Sequence, residues 1–266
     1  MTTSIVVCTY NWPAALELVL LSASRQTILP NEVVIADDGS RNDTRELIDR
    51  MRPHMPYKLI HAWQEDNGFR LSTAANRAFA KCTSDLIIQI GGDIIMEPHF
   101  VEDHIKHSAP GYYIHGSRGK LNDRITQAFF KKHDYHFSLF SKDIKNIVNT
   151  WRIPFLTPLF YEYRKDKLVR GCNMSFWRND LYAVNGYDGD MVGYGNEDTD
   201  LANRLERLGI KKRFVKFSAI EYHIYHDETP SKYNSKLRTH NSELENSNTT
   251  NGIVRVKNGI DKFLNE

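Results

Sequence analysis

A chain of 266 residues, 41% hydrophobic and 26% charged, has a globular composition and enough length to bury a large core. Its net charge of +2 gives no electrostatic case for nucleic acid as a partner. No apolar run reaches bilayer-spanning length and Met1-Thr2-Thr3-Ser4 lacks the basic and apolar regions of a secretion signal, so a cytoplasmic location is expected.

Ser4–Cys8 is a β-branched run that predicts a first strand, breaking at Thr9-Tyr10-Asn11-Trp12-Pro13. Pro13 suits a first helical turn, and Leu16, Val19, Leu20 and Ala23 continue at helical spacing. Val33–Ala36 predicts a second strand ending in Asp37-Asp38-Gly39-Ser40, and Lys58–His61 a third. After the turn Asn67-Gly68-Phe69-Arg70, Ser72–Lys81 reads as an alanine-rich helix. Leu86–Ile90 predicts a fourth strand ending in Gly91-Gly92-Asp93. Apolar strands alternating with helices indicate an α/β protein with a mostly parallel central sheet flanked by helices. Such sheets bind ligands beyond the carboxyl ends of their strands, where Asp37, Asp38 and Asp93 fall. No Gly-x-Gly-x-x-Gly or Walker-type loop is present, which argues against dinucleotide and ATP sites.

Beyond Asp93, Met96–Phe100 leads into a helix and Tyr112–Gly116 predicts a strand. Residues 117–167 are basic and aromatic, with Phe129, Phe130, Tyr135, Phe137, Phe140, Trp151, Phe155, Phe160 and Tyr161 among lysines and arginines. They read as a helical insertion whose aromatics pack into the core; an acceptor-binding wall and a membrane-surface patch are the alternatives. Val169–Phe176 predicts a strand with small residues in its middle. Gly193–Leu205 then places Glu197, Asp198 and Asp200 at a helix N-terminus, with Leu201, Leu205 and Leu208 facing inward. Lys211–Lys216 starts a basic strand, and His223 and His226 lie among acids. Ser231–Asn251 is polar and expected to be solvated, followed by a short helix within Ile253–Phe263. Cys8, Cys82 and Cys172 are odd in number and lack paired metal spacing, so they read as reduced thiols.

The pieces Val6–Asn11, Ala36–Ser40, Asn67–Arg70 with Ala75-Asn76, and Ile90–Asp93 resemble glycosyltransferase family 2, whose members have the GT-A nucleotide-sugar fold. Gly171–Met174 and Gly193–Leu205 are similar to the acceptor and catalytic region of β-1,4-galactosyltransferases, and chondroitin-polymerase-type bacterial enzymes combine both halves. The resemblance implies one GT-A domain over residues 1–230. Residues 1–100 form its nucleotide half, 117–167 the helical insertion and 168–230 the acceptor and catalytic half, with 231–266 a polar extension. It implies that Thr9, Tyr10, Asp37, Asp38 and Arg70 hold uridine and diphosphate, with Asn76, Gly92 and Asn173 completing the donor site. Asp93 is then a ligand to Mn²⁺ or Mg²⁺ and His226 the remote ligand, with His223 its substitute. Glu197 binds an acceptor hydroxyl, and Asp198 is the catalytic base.

The implied activity is inverting transfer of a hexose, galactose or N-acetylgalactosamine favoured, from a UDP-sugar to a glycan or lipid-linked glycan, in bacterial surface polysaccharide synthesis. The setting is cytoplasmic, with peripheral contact at the inner membrane face admitted. One departure stands out: Gly91 replaces the first acid of the family's metal motif. Restoring an acid there is expected to strengthen metal dependence or activity. The rival readings are a sugar-nucleotide-binding protein without transfer activity, and a nucleotidyltransferase, whose glycine-rich loop is missing between Thr9 and Pro13.

Overall fold

The side chains of β1 (Thr3–Thr9) alternate between two cores. Ile5 and Val7 enter one with Leu16, Val19 and Leu20 of α1 (Pro13–Ser24) and Leu47 and Ile48 of α2 (Asn42–Met51). Val6 enters the other with Ala74, Ala75, Ala78 and Phe79 of α3 (Leu71–Ala80). This two-residue period, apolar on both sides, is what a sheet covered on both faces requires. The computed structural model describes residues 1–132, 141–162, 169–227 and 235–266.

The large sheet has seven strands. β1 lies between β2 (Glu32–Asp37) and β4 (Leu86–Gly91), and β3 (Lys58–Trp63) forms one edge. Beyond β4 come β9 (Asn173–Trp177), β6 (Tyr112–Gly116) and β10 (Lys211–Val215). β9 pairs antiparallel with both β4 and β6, whereas the other pairings are parallel. All strands except β9 therefore end at one edge, and β9 begins there. α4 (Phe100–His107), α6 (Arg178–Ala183) and α7 (Glu197–Arg207) complete the helical cover of the sheet.

A smaller sheet joins β5 (Ile94–Met96), β11 (Glu221–His223), β7 (Arg118–Leu121) and β8 (Ile144–Lys145) in that order. Ala15 and Leu18 of α1 pack on it with Ile95, Ile220 and Tyr222, so α1 ties the two sheets together. The segment 117–167 is thus more than a helical insertion. It contains α5 (Asp123–Lys132) and 3-10 turns at Ile147–Thr150 and Pro154–Phe160, but it opens on β7. Of its aromatics, Phe129 is buried with Leu121 and Ile144, while Phe155 is 78% exposed. Tyr135, Phe137 and Phe140 lie outside the described residues.

Two further expectations are corrected. Leu201 and Leu205 are fully buried, but Leu208 sits past the last turn of α7 and is 38% exposed. The polar stretch after residue 234 folds as α8 (Ser235–Thr250). Its composition is poor in apolar anchors, so amides attach it. Asn241 Nδ2 donates to the Gly195 carbonyl at 2.9 Å, and Asn248 Nδ2 donates to Asp188 and Asp200 at 3.0 and 2.9 Å. Asn203 Nδ2 of α7 donates to Glu245 at 2.7 Å. Among the described residues no helix is long and apolar enough to cross a membrane.

Candidate active site

A cleft of about 780 Å³ opens along the carboxyl edge of the large sheet. Thr9 ends β1 and Tyr10 follows it, Asp38 follows β2, and Gly92 and Asp93 follow β4, and all five line the cleft. Asp38 accepts the Arg70 backbone N–H at 2.7 Å and the Gln64 amide at 2.6 Å. Burial pushes its carboxyl up to about 6, against the opposing pull of those two hydrogen bonds. Asp37 sits beneath this rim, fully buried. It accepts Ser40 N–H at 2.8 Å and bonds His61 Nε2 at 2.7 Å, so it shapes the loop that carries Asp38 and does not face the cleft.

Three other sequence-derived donor residues also fall outside the cleft lining. Arg70 caps α3, and its backbone, through Asp38, is what touches the rim. Asn76 spends its amide on Tyr187, donating to the carbonyl and accepting the N–H, both at 2.8 Å. Asn173 donates to the carbonyls of Ser117 and Ala219 at 3.2 and 3.0 Å and joins β9 to its surroundings. Both groups of the Asn76 amide and the Nδ2 of Asn173 are thus taken up by backbone groups that burial would otherwise leave unpaired.

α7 delivers the two acids expected for catalysis. Asn196, with φ +71°, turns the chain into the helix, and Glu197 and Asp198 occupy its first turn facing the cleft. Asp198 Oδ2 accepts the Gly171 N–H and its Oδ1 accepts the Tyr187 hydroxyl, each at 2.7 Å. Gln89 of β4 bonds the same hydroxyl and donates to the Gly171 carbonyl at 3.1 Å, closing a small network. Burial raises the Asp198 carboxyl, while its two hydrogen bonds oppose that rise. Glu197, which accepts Gly195 N–H at 2.7 Å, is raised by burial and then further by the charge on Asp198. Both carboxyls are therefore held above the ordinary carboxylate range, and the Gly171 N–H and Tyr187 hydroxyl favour the charged form of Asp198. Asp200, third in the acidic run, is structural: it pairs with fully buried Arg204 at 2.7 Å.

The metal candidates converge through sheet pairing. β11 lies antiparallel to β5 in a register that sets His223 opposite Ile94, and Ile224 N–H donates to the Asp93 carbonyl at 2.9 Å. His223 Nε2 and His226 Nε2 approach the same oxygen, Asp93 Oδ2, at 3.3 and 3.4 Å. All three ligand atoms lie within 4.8 Å of one another, and the 3.3 and 3.4 Å from each histidine to Asp93 are spacings that one cation bonded at ~2.1 Å to both partners can bridge. Burial lowers His223 to about 4, with Asp93 opposing, so its imidazole is in the neutral form a metal requires. The donor set fits a divalent ion with coordination positions left open to the cleft. Both histidines belong to it, where the sequence pointed to one with the other as substitute. Trp12 packs its ring edge-on to His226 at 5.6 Å. Residues 228–230, just after His226 and Asp227, lie outside the described residues.

Gly91 takes on a different meaning in this setting. A Cβ there would stand 2.6 Å from Asp93 Oδ1, so the glycine leaves room for the Asp93 carboxylate to fold back toward the histidines. Tyr187 and Gln89 around Asp198, together with Arg118 and Trp12, were not legible as site residues from local pattern. Each is brought in by a contact far along the chain.

A mostly parallel sheet with a cleft at its carboxyl edge, helix-borne acids and an Asp–His cluster defines a glycosyltransferase of GT-A fold. The chain belongs to glycosyl transferase family 2, whose model matches residues 4–172, and a model described as the N-terminal domain of galactosyltransferase matches residues 155–227. It is 25% identical over 230 residues to validoxylamine A glucosyltransferase of Streptomyces hygroscopicus subsp. limoneus, covering 78% of this chain and 48% of that one. It is 24% identical over 259 residues to the chondroitin synthase of Escherichia coli, covering 88% and 36% respectively. The chain thus spans half or less of the length of these relatives. Its fold is shared with GalNAc-T7 solved with UDP, GalNAc and Mn²⁺, at a TM-score of 0.61 and 17% identity over 85% of this chain and 44% of that one.

Proposed function

We propose that this chain is an inverting, metal-dependent transferase that moves a hexose from a UDP-sugar to a glycan or lipid-linked glycan in bacterial surface polysaccharide synthesis. Galactose and N-acetylgalactosamine are the favoured sugars. The observation that carries the reading is the presence in one cleft of a three-ligand Asp–His cluster and a buried, hydrogen-bonded carboxylate. The family, the relatives' names and the UDP and Mn²⁺ in the GalNAc-T7 structure support it.

Thr9, Tyr10 and Asp38 hold the nucleotide at the ends of β1 and β2. Asp93, His223 and His226 hold Mn²⁺ or Mg²⁺. When bound, that ion offsets the negative charge that grows on the diphosphate leaving group. Asp198 takes the proton of the acceptor hydroxyl as that oxygen attacks the anomeric carbon. Its burial suits the task, because a carboxylate whose proton affinity is raised is a better base near neutrality. The Gly171 N–H and the Tyr187 hydroxyl keep its oxygens oriented. Glu197 binds a hydroxyl of the acceptor beside it. Attack by the acceptor from the face opposite the leaving group inverts the anomeric centre, so an α-linked donor gives a β-linkage.

The rival reading, a sugar-nucleotide-binding protein without transfer, took its support from Gly91. The second histidine weakens that support by restoring a third ligand. Incubation with a panel of UDP-sugars, Mn²⁺ and glycan acceptors tests both. Acceptor-dependent UDP release supports transfer; tight UDP binding with no release for any pair would leave the binding protein standing.

A further inference from the structure

We propose that a second, smaller pocket adjoining the cleft is an anion subsite that takes a carboxylate or phosphate carried by the acceptor glycan, an inference that rests on the transferase reading above. The pocket has a volume of about 290 Å³. Arg118, Lys120, Arg170 and Lys216 line it, with Glu221 as its acid. Even with Glu221 fully charged, four cations outweigh one anion. A concave site lined by one sign of charge concentrates the opposite sign.

Two buried donors in the lining point to an oxyanion, with the two Glu221 carboxyl oxygens, likewise buried and unpartnered among the described residues, as the opposing acceptors. Arg118 Nε and Ser117 Oγ are buried and have no hydrogen-bond partner among the described residues. Such groups carry a desolvation cost that a ligand oxygen would relieve. A carboxylate or phosphate offers several acceptor oxygens at once, which suits a guanidinium and a hydroxyl from consecutive residues.

Position identifies whose anion it is. Gly116 ends β6 and Val215 ends β10, so the pocket lies at the same edge of the sheet as the cleft. The nucleotide rim is at β1 and β2, on the far side of β4 and β9 in the strand order. The donor diphosphate is accounted for at that rim and at the Asp93 cluster. Arg118, Arg170 and Cys172 line both cavities, so the small pocket adjoins the cleft across these shared side chains. An acceptor with a negative group on or beside its terminal sugar fits this arrangement.

Calorimetric titration of the full chain, saturated with UDP and Mn²⁺, with methyl β-glucuronide, methyl β-glucoside and inorganic phosphate tests the proposal. The two glycosides differ in the carboxylate alone. At least one of the two anions should bind and the glucoside should not. Glucuronide binding identifies a uronic acid acceptor; phosphate binding without it identifies a phosphate-bearing one. Lys216→Gln combined with Lys120→Gln, both lining the small pocket and not the cleft, should weaken the anion roughly 10- to 100-fold and leave UDP affinity unchanged. Lys216→Arg should retain binding, which separates charge from folding. Failure of both anions to bind, equal binding of the glucoside, or anion binding indifferent to the lysine substitutions would overturn the subsite. UDP affinity is measured separately, and its absence would count against the transferase reading instead.

Discussion

Gly171 gives its backbone N–H to Asp198 at 2.7 Å, and a Cβ at position 171 would stand 2.4 Å from the other oxygen of the same carboxylate. The residue must therefore be small because the Asp198 carboxylate lies over it. Gly171→Ala should displace Asp198 and the Gln89 amide, which would lie 2.5 Å from the new methyl group. A misplacement of this size costs about 10²-fold in turnover. Steady-state transfer rate and UDP affinity, measured together, check this: UDP affinity should hold while rate falls. Unchanged turnover would show that Asp198 does not need its present position.

Asp198→Asn keeps shape and removes the proton acceptor, and general-base loss lowers rate by about 10²–10⁴-fold. Glu197→Gln should cost less, because the amide keeps the shape of a residue that binds the acceptor hydroxyl and does not take its proton. Its effect should appear in acceptor KM as well as in kcat. Saturation kinetics for both variants decide the assignment. Near wild-type turnover in Asp198→Asn would leave the acids as a helix start only.

For the metal, UDP binding should tighten with Mn²⁺ and lose that dependence in Asp93→Ala. His223→Ala and His226→Ala should each weaken Mn²⁺ by at least the roughly 10–100-fold typical of losing support around a metal. Gly91→Asp, expected from sequence to strengthen the site, should instead weaken it, because its Cβ enters the space of Asp93 Oδ1. Full activity in excess EDTA would remove the metal from the mechanism.

Asp38 sets a pH dependence. Its carboxyl is raised to about 6 in the fold, so it gains a proton as pH falls through that value, and an acceptor for ribose hydroxyls is lost. Uridine affinity should drop below about pH 6; uridine is the probe because it carries no phosphate to titrate in this window. Asp38→Asn should flatten the profile. The linked effect on stability has the opposite sign. Between its unfolded value of ~3.9 and about 6 the native state binds more proton than the unfolded one, so this residue's contribution falls as pH rises.

Asn241 is fully buried and links α8 to the loop before the acids, donating to Gly195 and accepting the Val192 N–H at 3.2 Å. Asn241→Ala should cost about 1–3 kcal/mol from the groups left unpaired. Thermal unfolding reads that loss. Turnover should fall with UDP affinity kept, since the loop positions Glu197 and Asp198 and does not carry the nucleotide. A variant with the wild-type melting temperature would make α8 a passive appendage.

The sequence by itself determined the parallel sheet. Strands such as Ile5–Val7 and Val33–Ala36 must hide apolar side chains on both faces, and that requirement is written in consecutive residues. It also placed Asp38 and Asp93 at strand ends and Glu197 and Asp198 at a helix start, because these are local facts of period and punctuation. Tertiary structure alone decided what those residues meet. His223 reaches Asp93 because β11 pairs with β5, 130 positions apart in the chain, and nothing in either short strand names its partner. Tyr187 and Gly171 reach Asp198 in the same way, and Asn76 and Asn173 leave the cleft because buried backbone claims their amides. α8 folds where composition predicted solvated chain, since its stability comes from amide contacts to α7 and the catalytic loop and not from an apolar stripe. Hydrophobic periodicity records which side of an element is buried; hydrogen-bond partners across the fold leave no such period, and only packing selects them.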